Sequence, residues 1–127
     1  MSAPIGAYRP VVEAGPWLIC SGQLGFAPHA IGGDTGPRLV EGAAAQVTQA
    51  LEGARRLLAG HGAGLGDVVK TTVFLVDMDD FTAVDRAYAA FFGDHRPARS
   101  MVGVAALPLG ARVEVEVWAY RTDRQGA

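Results

Sequence analysis

This chain lacks several features that would assign it a function at once. It has one cysteine, Cys20, in 127 residues, so an internal disulfide is excluded and a reducing compartment suits it. Flanked by Ile19 and Leu18, that thiol reads as a small buried apolar group rather than a nucleophile. Positive charge is not in excess: 11 basic residues against 13 acidic ones give a net charge of −2, with both signs scattered. That balance argues against a nucleic-acid partner. No apolar run approaches the ~20 residues of a membrane span, and the opening MSAPIGAYRP has no basic stretch followed by an apolar one. A cytosolic protein without a membrane partner is the expectation. His29, His61 and His95 lie far apart, and none has a metal-binding spacing. The glycine-rich GHGAGLGD follows a helical pattern and precedes a strand pattern, the reverse of a phosphate-cradling loop. It reads as a helix terminator and turn.

What is present is apolar periodicity. Hydrophobic residues make up 50% of the chain, enough for one domain over residues 1–127 with a single core. From Glu41 to Gly60, Ala43, Ala44, Val47, Ala50, Leu51, Ala54, Leu57 and Leu58 recur at steps of three and four, which predicts an amphipathic helix. A second helix is signalled by Asp79 or Asp80 as N-cap, by Phe81, Val84, Tyr88 and Phe91 along one face, and by Gly93 beyond the last turn. Strands are expected near Tyr8 to Ala14, over WLICSG (17–22) and VVKTTVFLV (68–76), and at Ser100 to Ala106 and Ala111 to Arg121. Gly15-Pro16 would close a hairpin, and LPLG would separate the last two strands. A polar tail from about residue 121 is expected to be loose.

Two helices cover one face of such a sheet. In the last strand, alternation puts Ala111, Val113, Val115, Val117 and Ala119 on one side and Arg112, Glu114, Glu116, Trp118 and Tyr120 on the other. The first set suits a helix-covered core. The second mixes carboxylates with large aromatics, as subunit contacts and clefts do. A solvated face carrying two stray aromatics fits it equally well.

The stretches IGAY (5–8), SGQLG (21–25), VVKTTVFLVDMDDF (68–81), YAAFFGDHRPARS (88–100) and LPLGARVEVE (107–116) together resemble the RidA/YjgF/UK114 family of enamine and imine deaminases. The resemblance implies an α+β, chorismate-mutase-like fold (the bacillus type): a mixed sheet, two helices on one face, and a homotrimer with clefts between subunits. It implies hydrolysis of small 2-enamino or 2-imino acids to 2-keto acids and ammonia, with no cofactor. By the same resemblance Arg99, of the PARS motif, clamps the substrate carboxylate, and Arg96 falls outside the motif as a solvated cation. Glu114 positions or activates the attacking water. Tyr8 and Ser21 line the pocket, and Met101 offers a main-chain contact. Glu116 is then structural or interfacial.

The arginine assignment also has a physical basis. A guanidinium presents a fixed fork of donors matched to a carboxylate and stays charged in a dry site. Tyr8 and Ser21 have simpler readings, as a strand anchor and as a partner of a local backbone group. The chain departs from the family pattern at Arg9-Pro10, Met101, Gly103 and Asp85, where relatives usually carry a small polar residue and glutamine, cysteine, glutamate and asparagine. Arg9 beside Tyr8 would favour a dicarboxylic or bulkier substrate, and Asp85 would counter it. The alternatives are a non-catalytic trimer that binds keto acids, or a ribonuclease or translation inhibitor, which the net charge disfavours.

Overall fold

Valine-rich alternation builds the centre of this molecule. The computed structural model describes residues 6–28 and 37–121. Strands β1 (Val11–Ala14) and β2 (Trp17–Leu24) form the expected hairpin, with Ala14 opposite Trp17 and Gly15 at φ 61° turning the corner. A residue without Cβ adopts that φ without strain. Then follow α1 (Ala43–Ala59), β3 (Val68–Leu75), α2 (Phe81–Phe92), β4 (Ala98–Gly103) and β5 (Val113–Tyr120). The five strands lie in the order β1-β2-β5-β3-β4. Only β3 and β4 run parallel, as a crossover through a helix requires.

Both helices lie on one face. Val47, Ala50, Leu51, Ala54 and Leu58 of α1, with Val84, Tyr88 and Phe92 of α2, close over Leu18, Val73, Leu75, Val113, Val115 and Val117. Each fully buried Leu or Val contributes roughly 1.5–3 kcal/mol of transfer free energy. The alternation expected in β5 is therefore correct. Cys20 joins this core at 1% exposure, and burial pushes its thiol up to about 11.

Several boundaries differ from expectation. The first strand begins at Val11, because residues 6–10 bend. Strand β4 begins at Ala98 and ends at Gly103, two and three residues before the expected limits. Its register is fixed by parallel pairing, Lys70 opposite Ala98 and Leu75 opposite Gly103, a non-local partner that local pattern does not reveal. Strand β2 runs on to Leu24 through an irregularity between Cys20 and Gln23. Asp80 occupies the N-cap of α2 but makes no capping bond, since its carboxylate holds Arg112 at 2.7 Å. Asp77 instead caps the short 3-10 turn Met78–Asp80 that leads into α2, accepting from the Asp79 N–H at 2.9 Å. In α2 it is Phe92 that is buried, with Phe91 at the margin of the core.

Arg121, expected to head a loose tail, is fastened. Its N–H donates to the Pro16 carbonyl at 2.7 Å, and its guanidinium donates to Glu13 at 2.7 Å and to the carbonyls of His61 and Gly15 at 3.0 and 3.1 Å. The remainder of the expected tail, 122–127, lies outside the described residues, as does His29.

Candidate active site

Arg99 stands on β4, an edge strand. Its Cα partner Thr71 is buried and faces the helices, so Arg99 points toward α2. The guanidinium lies 4.8 Å from the centre of the Tyr88 ring and 5.8 Å from that of Phe81, cation–π geometry in both cases. Tyr88 is fixed in turn by a 2.7 Å hydroxyl contact with Thr71. Burial, the largest influence on Tyr88, raises the pKa of its phenol. Nη1 of Arg99 donates to Oδ1 of Asp85 at 2.8 Å. Arg99 is thus held by α2, whereas Arg96 is exposed and donates to the carbonyls of Gly93 and His95 at the end of that helix.

The backbone of β4 adds a second feature. The Val104 N–H donates to the Leu75 carbonyl at 2.8 Å. Strand alternation then turns the N–H and C=O groups of Met101, like those of Arg99 and Gly103, outward from the open edge of the sheet. The Met101 side chain packs against the core, so what Met101 offers at this edge is its backbone. Gly103 lies under Met78, whose Cγ would be 3.2 Å from an added Cβ.

Glu114 lies on the opposite face. It pairs with Phe74 of β3 and Leu24 of β2, and shares the helix-free side with Glu116, Trp118 and Tyr120. Its carboxylate sits over Gly22, and a Cβ on that glycine would stand 2.7 Å from the carboxyl carbon. Burial, and secondarily the negative Glu116, raises the pKa of Glu114 above the ordinary value. No donor among the described residues engages this carboxylate. A half-buried carboxylate without a donor is a competent proton acceptor near neutral pH.

Ser21 donates its hydroxyl to the Arg9 carbonyl at 2.7 Å, and its N–H donates to the Pro10 carbonyl at 2.8 Å. Both bonds fasten the segment bearing Tyr8 against β2. Tyr8 itself is 47% exposed. A shallow hollow of about 310 Å³ at the start of α1, between Gly42, Gln46, Gly110 and Arg112, contains none of the expected site residues.

The single chain therefore does not bring Arg99 and Glu114 together. They are two strands apart and three register positions offset, on the order of 14 Å between Cα atoms, with the sheet between their side chains. Sequence reasoning missed Gly22, whose lack of a side chain makes room for Glu114; its place inside SGQ, beside a strand of alternating valines, was the available signal. Among the described residues no cluster of histidine, cysteine, aspartate or glutamate has the geometry to hold a metal ion, and no helix is long and apolar enough to cross a membrane.

Comparison with known proteins finds similar sequences and folds. The family model for endoribonuclease L-PSP matches residues 1–121. The 2-iminobutanoate/2-iminopropanoate deaminase of Salmonella typhimurium is 41% identical over 122 residues, covering 94% of this chain and 91% of that protein. The crystal structure of the Escherichia coli YjgF gene product superposes with a TM-score of 0.83 at 40% identity, over 94% of this chain and 91% of that one. Escherichia coli TdcF with bound serine superposes with a TM-score of 0.83 at 33% identity, over the same shares, 94% and 91%. With its mixed five-stranded sheet, helices on one face and matching stretches from residue 1 to 121, this chain belongs to the endoribonuclease L-PSP family, that of YjgF.

Proposed function

We propose that this protein hydrolyses small, reactive 2-imino and 2-enamino acids of the 2-iminopropionate type to 2-keto acids and ammonia. The observation that carries the reading is the edge of β4, where a guanidinium braced on Tyr88 at 4.8 Å stands beside the outward-facing backbone of Met101. A fixed cation beside free N–H donors is a carboxylate receptor. The printed activity of the Salmonella typhimurium relative, a 2-iminobutanoate/2-iminopropanoate deaminase, supports it.

In this reading Arg99 holds the substrate carboxylate and so fixes C2. Glu114 accepts a proton from water as the water oxygen adds to the C=N carbon. Glu114 returns that proton to nitrogen, and as the adduct collapses its hydroxyl proton also passes to nitrogen, the C=O bond forms, the C–N bond breaks and ammonia leaves. An imine carbon is already electrophilic, so orientation and base assistance suffice. The chemistry needs no metal or cofactor.

Because the carboxylate edge and Glu114 occupy different surfaces of one subunit, the reading includes a homotrimer whose neighbouring copies bring them together in intersubunit clefts. The helix-free face, with Trp118 at 40% and Tyr120 at 37% exposure, is the surface such a copy would cover. Tyr8 closes the cleft, and Ser21 acts by anchoring the Tyr8 segment. In this reading the protein works in the cytosol as one domain over residues 1–127, on by-products of pyridoxal-phosphate enzymes and not on nucleic acid.

The test is to generate 2-iminopropionate with an amino-acid oxidase and follow its loss with wild type, Arg99→Ala and Glu114→Ala. Wild type should outpace buffer and both variants should fall toward it. Wild type no faster than buffer, yet stabilised thermally by a keto acid, would replace this reading with a non-catalytic binding protein.

A further inference from the structure

Asp85 has no role in the chemistry just described, yet its carboxylate is the one acceptor on the Arg99 guanidinium among the described residues. It lies four residues after Phe81 and three before Tyr88 on α2, so one helix face brings all three side chains to Arg99. The contact is single, Nη1 to Oδ1 at 2.8 Å, and leaves the other guanidinium donors for a ligand. Solvent reaches the pair, with side-chain exposures of 23% for Arg99 and 48% for Asp85, so a small anion reaches it as well.

We propose that Asp85 is a specificity-determining residue: by neutralising one side of the Arg99 clamp, it restricts the site to small 2-imino monocarboxylates and disfavours those with a second carboxylate. The inference rests on the deaminase reading and deepens it. An unpaired arginine would attract any anion, and dianions most. With Asp85 in contact the local charge is already balanced, so a first carboxylate is bound by hydrogen-bond geometry and a second meets net repulsion. The neighbouring cations do not restore the balance. Arg96 is turned to the carbonyls of Gly93 and His95, and Arg86, one residue beyond Asp85, is rotated about 100° around the helix.

The charge and the tether are separable. Asp85→Asn keeps an acceptor for Nη1 and removes the charge, and Asp85→Ala removes both. Calorimetric titration with pyruvate and 2-oxoglutarate, a monoanion and a dianion resembling products, reads selectivity without turnover. Wild type should bind pyruvate more tightly than 2-oxoglutarate. Asp85→Asn should tighten pyruvate by about two- to fivefold, the range of a partly exposed charge pair, and 2-oxoglutarate by a larger factor. Its KM for 2-iminopropionate should fall in parallel with kcat nearly unchanged, whereas Asp85→Ala should lose kcat as Arg99 loosens.

Unchanged selectivity in Asp85→Asn overturns the inference, as does an equal gain for both ligands. So does failure of wild type and variant to bind either keto acid. Turnover of 2-iminopropionate by wild type with unaltered selectivity in Asp85→Asn sinks this inference alone. The expected shift in binding with no turnover by any form sinks the deaminase reading alone.

Discussion

The Glu114 carboxylate occupies the space where a side chain on Gly22 would stand, with its carboxyl carbon 2.7 Å from an added Cβ. Gly22→Ala should therefore push Glu114 aside while leaving the fold intact. The atoms in the way belong to a flexible side chain, so stability should change little, whereas misplacing a catalytic group by an ångström costs on the order of 100-fold in rate. Thermal melting and imine turnover measure the two effects. A Gly22→Ala variant with unchanged turnover would show that the position of Glu114 does not depend on this space.

Lysine at position 99 should be a poor substitute for arginine. An ammonium neither presents the fork that matches a carboxylate nor stacks on Tyr88 as a plane. Arg99→Lys should lower kcat/KM for 2-iminopropionate by about 10-fold or more, equivalent to losing one charge-assisted bond. A variant within twofold of wild type, on the order of 0.4 kcal/mol, would show that the clamp is not bidentate.

The pH profile should carry the mark of Glu114. Its pKa is raised above the ordinary 4.5, first by burial and then by Glu116. A base works when ionised, so the acid limb of kcat/KM should lie above 4.5, and Glu116→Gln should move it downward by removing the repelling charge. Stability runs the other way. A carboxyl with a raised folded pKa contributes stability that is fully present below the unfolded value and is lost as pH rises through the folded one. Glu114→Gln should therefore be more stable than wild type at neutral pH, measured by denaturant midpoints at pH 4 and pH 7.

The buried contact between Thr71 and Tyr88, 2.7 Å long, gives a stability test away from the chemistry. Tyr88→Phe leaves the Thr71 hydroxyl buried without a partner, costing about 1–3 kcal/mol. Adding Thr71→Val should recover most of the loss. Turnover should survive in both variants because the ring that braces Arg99 remains.

How far the sequence foretold this structure depends on whether the signal was local. Val113, Val115 and Val117 show their burial by alternation alone, and Val47, Ala50, Leu51 and Ala54 show theirs by helical spacing. The limits of β4 were not legible, because Ala98 is ordered by pairing with Lys70 across a helical crossover. The candidate site divides in the same way. Motif resemblance nominated Arg99 and Glu114 individually. The face of Glu114 was legible in the alternation of β5, whereas that of Arg99 follows from its pairing with buried Thr71, which the pattern of β4 alone does not contain. The contact between Arg99 and Asp85 depends on how α2 docks on β4, and only three-dimensional packing sets that.

The state of Cys20 has a practical consequence. A sole thiol that is 1% exposed and shifted to about 11 exists almost wholly as the unreactive protonated form at neutral pH. Maleimide or spin-label reagents will therefore ignore the native chain. A cysteine introduced at exposed Ala59 of α1, away from the helix-free face, would be tagged selectively, giving a ready-made scaffold for fluorescence measurements.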